Sequence, residues 1–266
     1  PFEPGGNNAA LKNMQLSIEP GRFQDRRTLL AEFDSWKRQV DGLRAVDGVS
    51  RFNQQAVDLL TGGAVDAIDV TKEDPAVLAK YDTSEMQIGF KQFRPSMLGH
   101  KMLMARRLCE AGAGFVTVHS AGWDMHADGN NPGMQVGMAM LGSTLDHAVS
   151  TFIDDVAVRG LSQKILLVIT GDFGRTPRVN KKGGRDHWAR LGTLAFIGGG
   201  LKMGQVIGQS DRQAGEPITT PYTTEHLMGT VMQSLFDVGE MRLVSGIPPQ
   251  LRRLVEQSRS IPELRI

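Results

Sequence analysis

From Lys164 to Thr170 the chain reads KILLVIT, an apolar run without alternation, and Gly171 ends it. A strand covered on both faces has this pattern, whereas a half-covered strand alternates. The spacing therefore predicts a buried strand whose carboxyl end delivers Asp172 into a loop. Phe115–His119, FVTVH, and Thr193–Ile197 read as two further strands, and Gln205–Gly208 as a short fourth. Helical periodicity occupies much of the remainder. Phe23, Leu29, Leu30, Phe33, Trp36, Val40 and Leu43 return at intervals of three or four until Asp47-Gly48 interrupts, and a second helix is predicted over 50–60. Further helices are predicted over 97–111, 134–158, 224–236 with Thr223 as N-cap, and 248–256.

This order divides the chain into a loop and mainly helical segment over 1–95 and a core carrying strands over 96–266. Helix, strand, helix, strand is the signature of crossover units, so the expected fold is α/β, a mostly parallel central sheet with helices on both faces. In such sheets, ligands bind at the carboxyl ends of the strands. Asp124 and His126 follow the first predicted strand, Asp172 follows the second, and Asp186 with His187 precedes the third. Carboxylates and imidazoles converging at one edge are a ligand set for a divalent ion, zinc first, with manganese or calcium as alternatives. Two such ions about 4 Å apart are a common arrangement for phosphoryl chemistry.

Composition narrows the classes. The 266 residues carry 40% hydrophobic and 22% charged side chains and a net charge of +1, which gives no reason to expect nucleic acid as a partner. No apolar run approaches the ~20 residues of a membrane span. The single cysteine, Cys109, excludes an intrachain disulfide and a cysteine-rich metal site. Charge is uneven, however: Arg175, Arg178, Lys181, Lys182, Arg185 and Arg190 crowd a loop whose only acids are Asp172 and Asp186. Guanidinium forks suit phosphate and sulfate oxygens, which makes Arg175 and Arg185 candidates for holding an anionic substrate. Lys181 and Lys182 read as a solvated stretch, and Ser120 and Thr176 as turn hydroxyls.

Three motifs, AGWDMH, GDFGRTPRVNKKGGRDHW and FIGGGLKMGQVIGQSD, together with the final PYTTEHLMGTVMQSLFDVG, resemble the family numbered 1501 among the domains of unknown function, which is grouped with the alkaline phosphatase and sulfatase superfamily. The resemblance implies a sheet-centred, exported enzyme of the periplasm or cell surface. It also implies a site of two divalent metals that hydrolyses phosphate or sulfate esters of small molecules or glycans. One metal of that pattern falls on Asp124, His126 and His187. The other expects an Asp-His pair where this chain has Asp172-Phe173, so that Asp186 is left as the substitute ligand. The family's first strand, with an early Asp and the nucleophile, has no counterpart after Pro1, and the chain lacks an export signal. It therefore reads as the C-terminal two-thirds of a family member, an incomplete and inactive fragment with no nucleophile to name. A binding or scaffold protein that keeps the fold without catalysis would also accommodate Phe173. A nucleotide-binding reading rests on Gly198-Gly199-Gly200, which lacks the phosphate-binding fingerprint.

Overall fold

The computed structural model describes residues 16–41, 63–86, 96–257 and 259–265. The helix predicted over 50–60 lies outside them. The chain divides into two compact units, 1–78 with 103–116, and 79–102 with 117–266.

In the first unit, α1 (Pro20–Asp41) is the longest described helix, and α2 (Ala64–Ile68) leads into a 3-10 turn, Val70–Lys72. The aromatic and leucine stripe read on α1 leaves Leu29 and Leu30 about half exposed. α3 (Pro75–Lys80) begins in this unit, and α4 (Leu98–Glu110) contributes its last two turns. Ala67, Ile68, Leu103 and Ala105 are buried here, and so is a cation, Arg106. Its guanidinium is 1% exposed, pairs with Glu73 at 2.5 Å and also with Glu110, while Arg107 reaches the same Glu73 carboxylate at 2.8 Å. Two guanidiniums on one buried carboxylate keep every charge in the group partnered, which burial in a low dielectric requires.

The second unit holds the strands. Met134–Gly137 (α5) continues through a π-helical segment, Met138–Gly142, into α6 (Ser143–Val158). That interruption of one predicted helix over 134–158 lies against Met125, which with Met140 and Leu141 forms a buried cluster covered by Trp123 and Met134. α6 buries Ala148, Phe152 and Val156, and its Asp155 accepts a hydrogen bond from the hydroxyl of the fully buried Tyr81 at 3.0 Å.

β1 (Leu166–Ile169) pairs antiparallel with β4 (Ala195–Gly198), Leu166 opposite Gly198 and Ile169 opposite Ala195. β2 (Gly174–Arg175) pairs antiparallel with β3 (His187–Trp188). Both described ladders are thus two-stranded and antiparallel, and β1 is half-buried along its length because neither strand of a pair is interior. Phe115–His119, expected as a strand beside it, forms no ladder among the described residues; Phe115 is exposed, and the His119 carbonyl accepts from Lys101 Nζ. The 205–208 stretch is likewise irregular. Gly198, Gly199 and Gly200 all adopt positive φ, 77°, 64° and 73°, and the Gly199 amide donates to the Ser162 carbonyl. Three consecutive left-handed residues explain the glycine run as a turn folded over the start of β1, with no anion cradle needed.

Near the end of the chain lie α7 (Thr224–Leu235), α8 (Val238–Leu243) and α9 (Pro249–Gln257), close to the predicted bounds. The last residues are tied back by Ile261 N–H to Thr230 Oγ1 and by the Tyr222 hydroxyl to Glu263. No helix of the described residues is long and apolar enough to cross a membrane.

Removing Glu73 leaves Arg106 with Glu110 and deprives Arg107 of its carboxylate. Glu73→Ala is expected to cost about 3–5 kcal/mol, the scale for breaking a buried ion pair. Asp66→Ala removes the exposed partner of Lys72 and is expected to cost about 1 kcal/mol or less. Urea denaturation of the two variants measures the difference; equal midpoints would assign the Arg106 group no structural weight.

Candidate metal centre

Residues 123–126 fold as two successive tight turns, with Met125 N–H donating to the Trp123 carbonyl at 3.0 Å and His126 N–H to the Asp124 carbonyl at 2.9 Å. Met125 is 2% exposed and enters the cluster under the π-helical segment. With Met125 anchored inward, its neighbours Asp124 and His126 face the other way together. Ala127 then turns the chain at φ 60°, an uncommon conformation for a residue with a Cβ.

The second half of the site comes from 174–188. The β2–β3 ladder sets Arg175 opposite His187. The connecting loop is bonded to the first segment through its backbone: Arg185 N–H donates to the Met125 carbonyl at 2.9 Å and Met134 N–H to the Gly183 carbonyl at 2.9 Å. Asn180 does the rest. Its Nδ2 donates to the His126 carbonyl at 3.0 Å and to Asp186 Oδ1 at 3.3 Å, while its Oδ1 accepts from the amides of Lys182 and Gly184, both at 3.0 Å. Gly184 passes so close that a Cβ there would lie 2.2 Å from the His126 carbonyl carbon.

The result brings Asp124, His126 and His187 together. His126 Nε2 lies 2.9 Å from Asp124 Oδ1 and 2.9 Å from His187 Nε2, and His187 Nε2 lies 3.0 Å from the same Asp124 oxygen. These three atoms form a nearly equilateral triangle. A tetrahedral zinc ion with bonds of about 2.0–2.2 Å sets its ligand atoms roughly 3.4 Å apart, so the set matches after spreading by about half an ångström. Two imidazole nitrogens and a carboxylate oxygen are also the donor chemistry that zinc accepts.

Asp186 stands behind the triangle. Its Oδ1 is 3.3 Å from His126 Nδ1, on the opposite side of the ring from the convergence point. Arg175 Nη1 faces His126 Nε2 at 3.3 Å on the convergence side, while Nδ1 faces Asp186. At metal sites a carboxylate behind an imidazole orients the ring. His187 Nε2 then donates to Asp124 Oδ1. Asp186 accordingly backs His126 in this geometry and stands outside the three converging atoms, whereas the resemblance cast it as a substitute ligand.

Other predicted residues take different places. Asp172 is exposed, and its carboxylate accepts from the adjacent Phe173 amide at 3.0 Å. The Phe173 ring packs against His187 with centroids 4.2 Å apart. Arg185 donates to the carbonyls of Thr176 and Pro177, which makes it a clasp of the loop. Arg175 lies within the cluster, donating to Asp124 Oδ1 and to the Trp123 carbonyl at 3.3 Å. Thr176 and Ser120 make local contacts, Thr176 Oγ1 to the Arg178 carbonyl and Trp123 Nε1 to Ser120 Oγ. An open cavity of about 470 Å³ lies beside His126, lined also by Asp128, Asn180, Lys181, Lys182 and Asp186. Lys181 and Lys182, read from sequence as merely solvated, border it. Asn180 and Gly184 were not singled out in the sequence; the turn composition of NKKGG was the available signal.

The family model described as protein of unknown function (DUF1501) matches residues 1–265. The chain belongs to that family. No curated protein and no solved structure matches it. Within this DUF1501 chain, two of the three quoted motifs supply the cluster, AGWDMH through Asp124 and His126 and GRDHW through His187.

Burial pushes the Asp124 carboxyl upward, but hydrogen bonds from Arg175 and His187 and the charges of Arg175 and His126 outweigh it and hold the group below the ordinary carboxylate range near 3.8. A depressed folded-state value means the stabilising contacts are complete above the unfolded value and lost as pH falls through the folded one. Arg175→Met removes the strongest of the lowering contacts and is expected to move the Asp124 titration upward, read by the carboxyl-carbon NMR shift. An unchanged midpoint would show that the guanidinium does not govern this group.

Proposed function

We propose that this protein is a metal-dependent hydrolase of phosphate or sulfate esters, of the alkaline phosphatase and sulfatase type, with zinc as the first-choice ion and manganese or calcium as alternatives. The observation that carries the reading is the Asp124–His126–His187 triangle, whose edges of 2.9 to 3.0 Å aim three donor atoms at one point. When bound, a divalent ion would supply positive charge and Lewis acidity to an anionic ester oxygen. The chain's own residues would hold that ion through Asp124, His126 and His187, with Asp186 orienting His126. An anionic ester of a small molecule or glycan as substrate belongs to the same proposal; Lys181 and Lys182 border the cavity beside His126 together with Asp128 and Asp186. The superfamily reading also carries the fold proposal, a mostly parallel central sheet with helices on both faces, in which an antiparallel strand pair such as β1–β4 is a common edge feature. Export to the periplasm or cell surface belongs to the same proposal.

A second reading, an ion-dependent binding protein without turnover, is favoured by Asp172 and Phe173. The acid is engaged by its neighbour's amide and the aromatic ring leans on His187, so the ligands gathered serve one ion. Calorimetry with zinc is expected to find one tight site, abolished in His126→Ala and His187→Ala. In Asp186→Asn the affinity is expected to fall about 10- to 100-fold, as at supporting carboxylates elsewhere. Asp172→Asn is expected to bind as wild type does. Two tight sites, or binding indifferent to His126, would refute the assignment. Turnover of aryl phosphate or aryl sulfate esters that tracks zinc occupancy separates hydrolase from binding protein.

A further inference from the structure

The Arg175 guanidinium sits where a catalytic arginine meant only for substrate has no reason to be. Its side chain is largely buried, it donates to Asp124 Oδ1, and Nη1 faces His126 Nε2 at 3.3 Å. Those are two of the three atoms that make the triangle. The fork is held there by further carbonyls, Trp123 O at 3.3 Å and Arg185 O at 3.5 Å, and the Phe173 ring centroid lies 5.8 Å from its central carbon. The ladder partner of Arg175 is His187, so the hairpin that brings in the third donor atom of the triangle brings in a cation as well.

We infer that the Arg175 guanidinium and a divalent ion compete for Asp124, so that metal loading requires the guanidinium to leave the carboxylate. The inference rests on the metal reading above and adds its regulation. The physical ground is that Asp124 Oδ1 already faces three nitrogens, and a dication seated on the same oxygen meets a permanent positive charge within a few ångströms. An arginine cannot relieve the repulsion by releasing a proton. It must move, and the 175 side chain has the length to do so while β2 stays paired. Arginine in this position keeps the carboxylate and imidazoles assembled and at the same time sets a threshold below which the ion does not bind.

Zinc calorimetry on the full chain separates the outcomes. Arg175→Gln keeps a hydrogen-bond donor and removes the charge, and is expected to bind zinc about tenfold more tightly or better, because the permanent positive charge beside the ion is gone. Arg175→Lys keeps the charge and is expected to bind about as wild type does. If Arg175→Gln binds no tighter, or if both variants bind more weakly, Arg175 is a positioning residue and the competition is refuted. A second measurement needs no altered affinity: the Arg175 guanidinium NMR signal of the wild type, identified by its loss in Arg175→Lys, is expected to shift as zinc is added, and a signal unmoved at saturation would overturn the inference even where Arg175→Gln does not fold. Absence of zinc binding to wild type and both variants alike would sink the metal reading itself, whereas binding to wild type without tightening in Arg175→Gln would sink only the competition.

Discussion

The second unit's site is organised around one oxygen. Asp124 Oδ1 is approached by Arg175 Nη2, by His187 Nε2 at 3.0 Å and by His126 Nε2 at 2.9 Å, and no two of these four residues except Asp124 and His126 are close in sequence. A carboxylate in a half-buried position is costly unless positive or donating groups surround it, and the loops around it are shaped to supply them. The turns at 123–126, the 174–188 hairpin and the glycine at 184 all serve that convergence.

Regular structure contributes little to the precision of this arrangement. The ladder between β2 and β3 is two residues long on each side, far too short to hold a site alone. Rigidity comes from backbone groups of one loop bonded to the other, from Asn180 bridging four partners, and from Met125 packed into the cluster beneath the π-helical interruption. Interruptions of this kind recur at functional sites because they re-aim a helix locally. Ala127 at positive φ, next to His126, adds a backbone conformation that only its surroundings sustain.

The two buried or half-buried arginine systems show what context does to one side chain. Arg106 is enclosed and matched by Glu73 and Glu110, with Arg107 on the same Glu73, a closed group with its charges paired. Arg175 faces a carboxylate that two imidazoles also face. The first is a structural knot; the second stands among groups whose chemistry is directed outward.

Much of this was legible along the chain. The helices over 97–111, 134–158 and 224–236 follow from periodicity, because burial of one face imposes it whatever the tertiary partners, and the strand over 164–170 from its unbroken apolar run. Asp124-x-His126 and Asp186-His187 were visible as chemistry at the ends of predicted elements, since side-chain type and local turn signals are properties of short segments. What only the tertiary structure decided is which atoms meet. The pairing of β1 with β4 is antiparallel, and Phe115–His119 takes no described ladder, because strand partners depend on long-range contacts that a local pattern does not encode. Asp172, Asp186 and Arg185 carry the right chemistry, yet one bonds its neighbour's amide, one backs an imidazole and one clasps carbonyls, outcomes set by where the loop's hydrogen bonds close. Asn180 and Gly184 carry no metal chemistry of their own, and they matter only because the fold lays the 180–184 turn against His126.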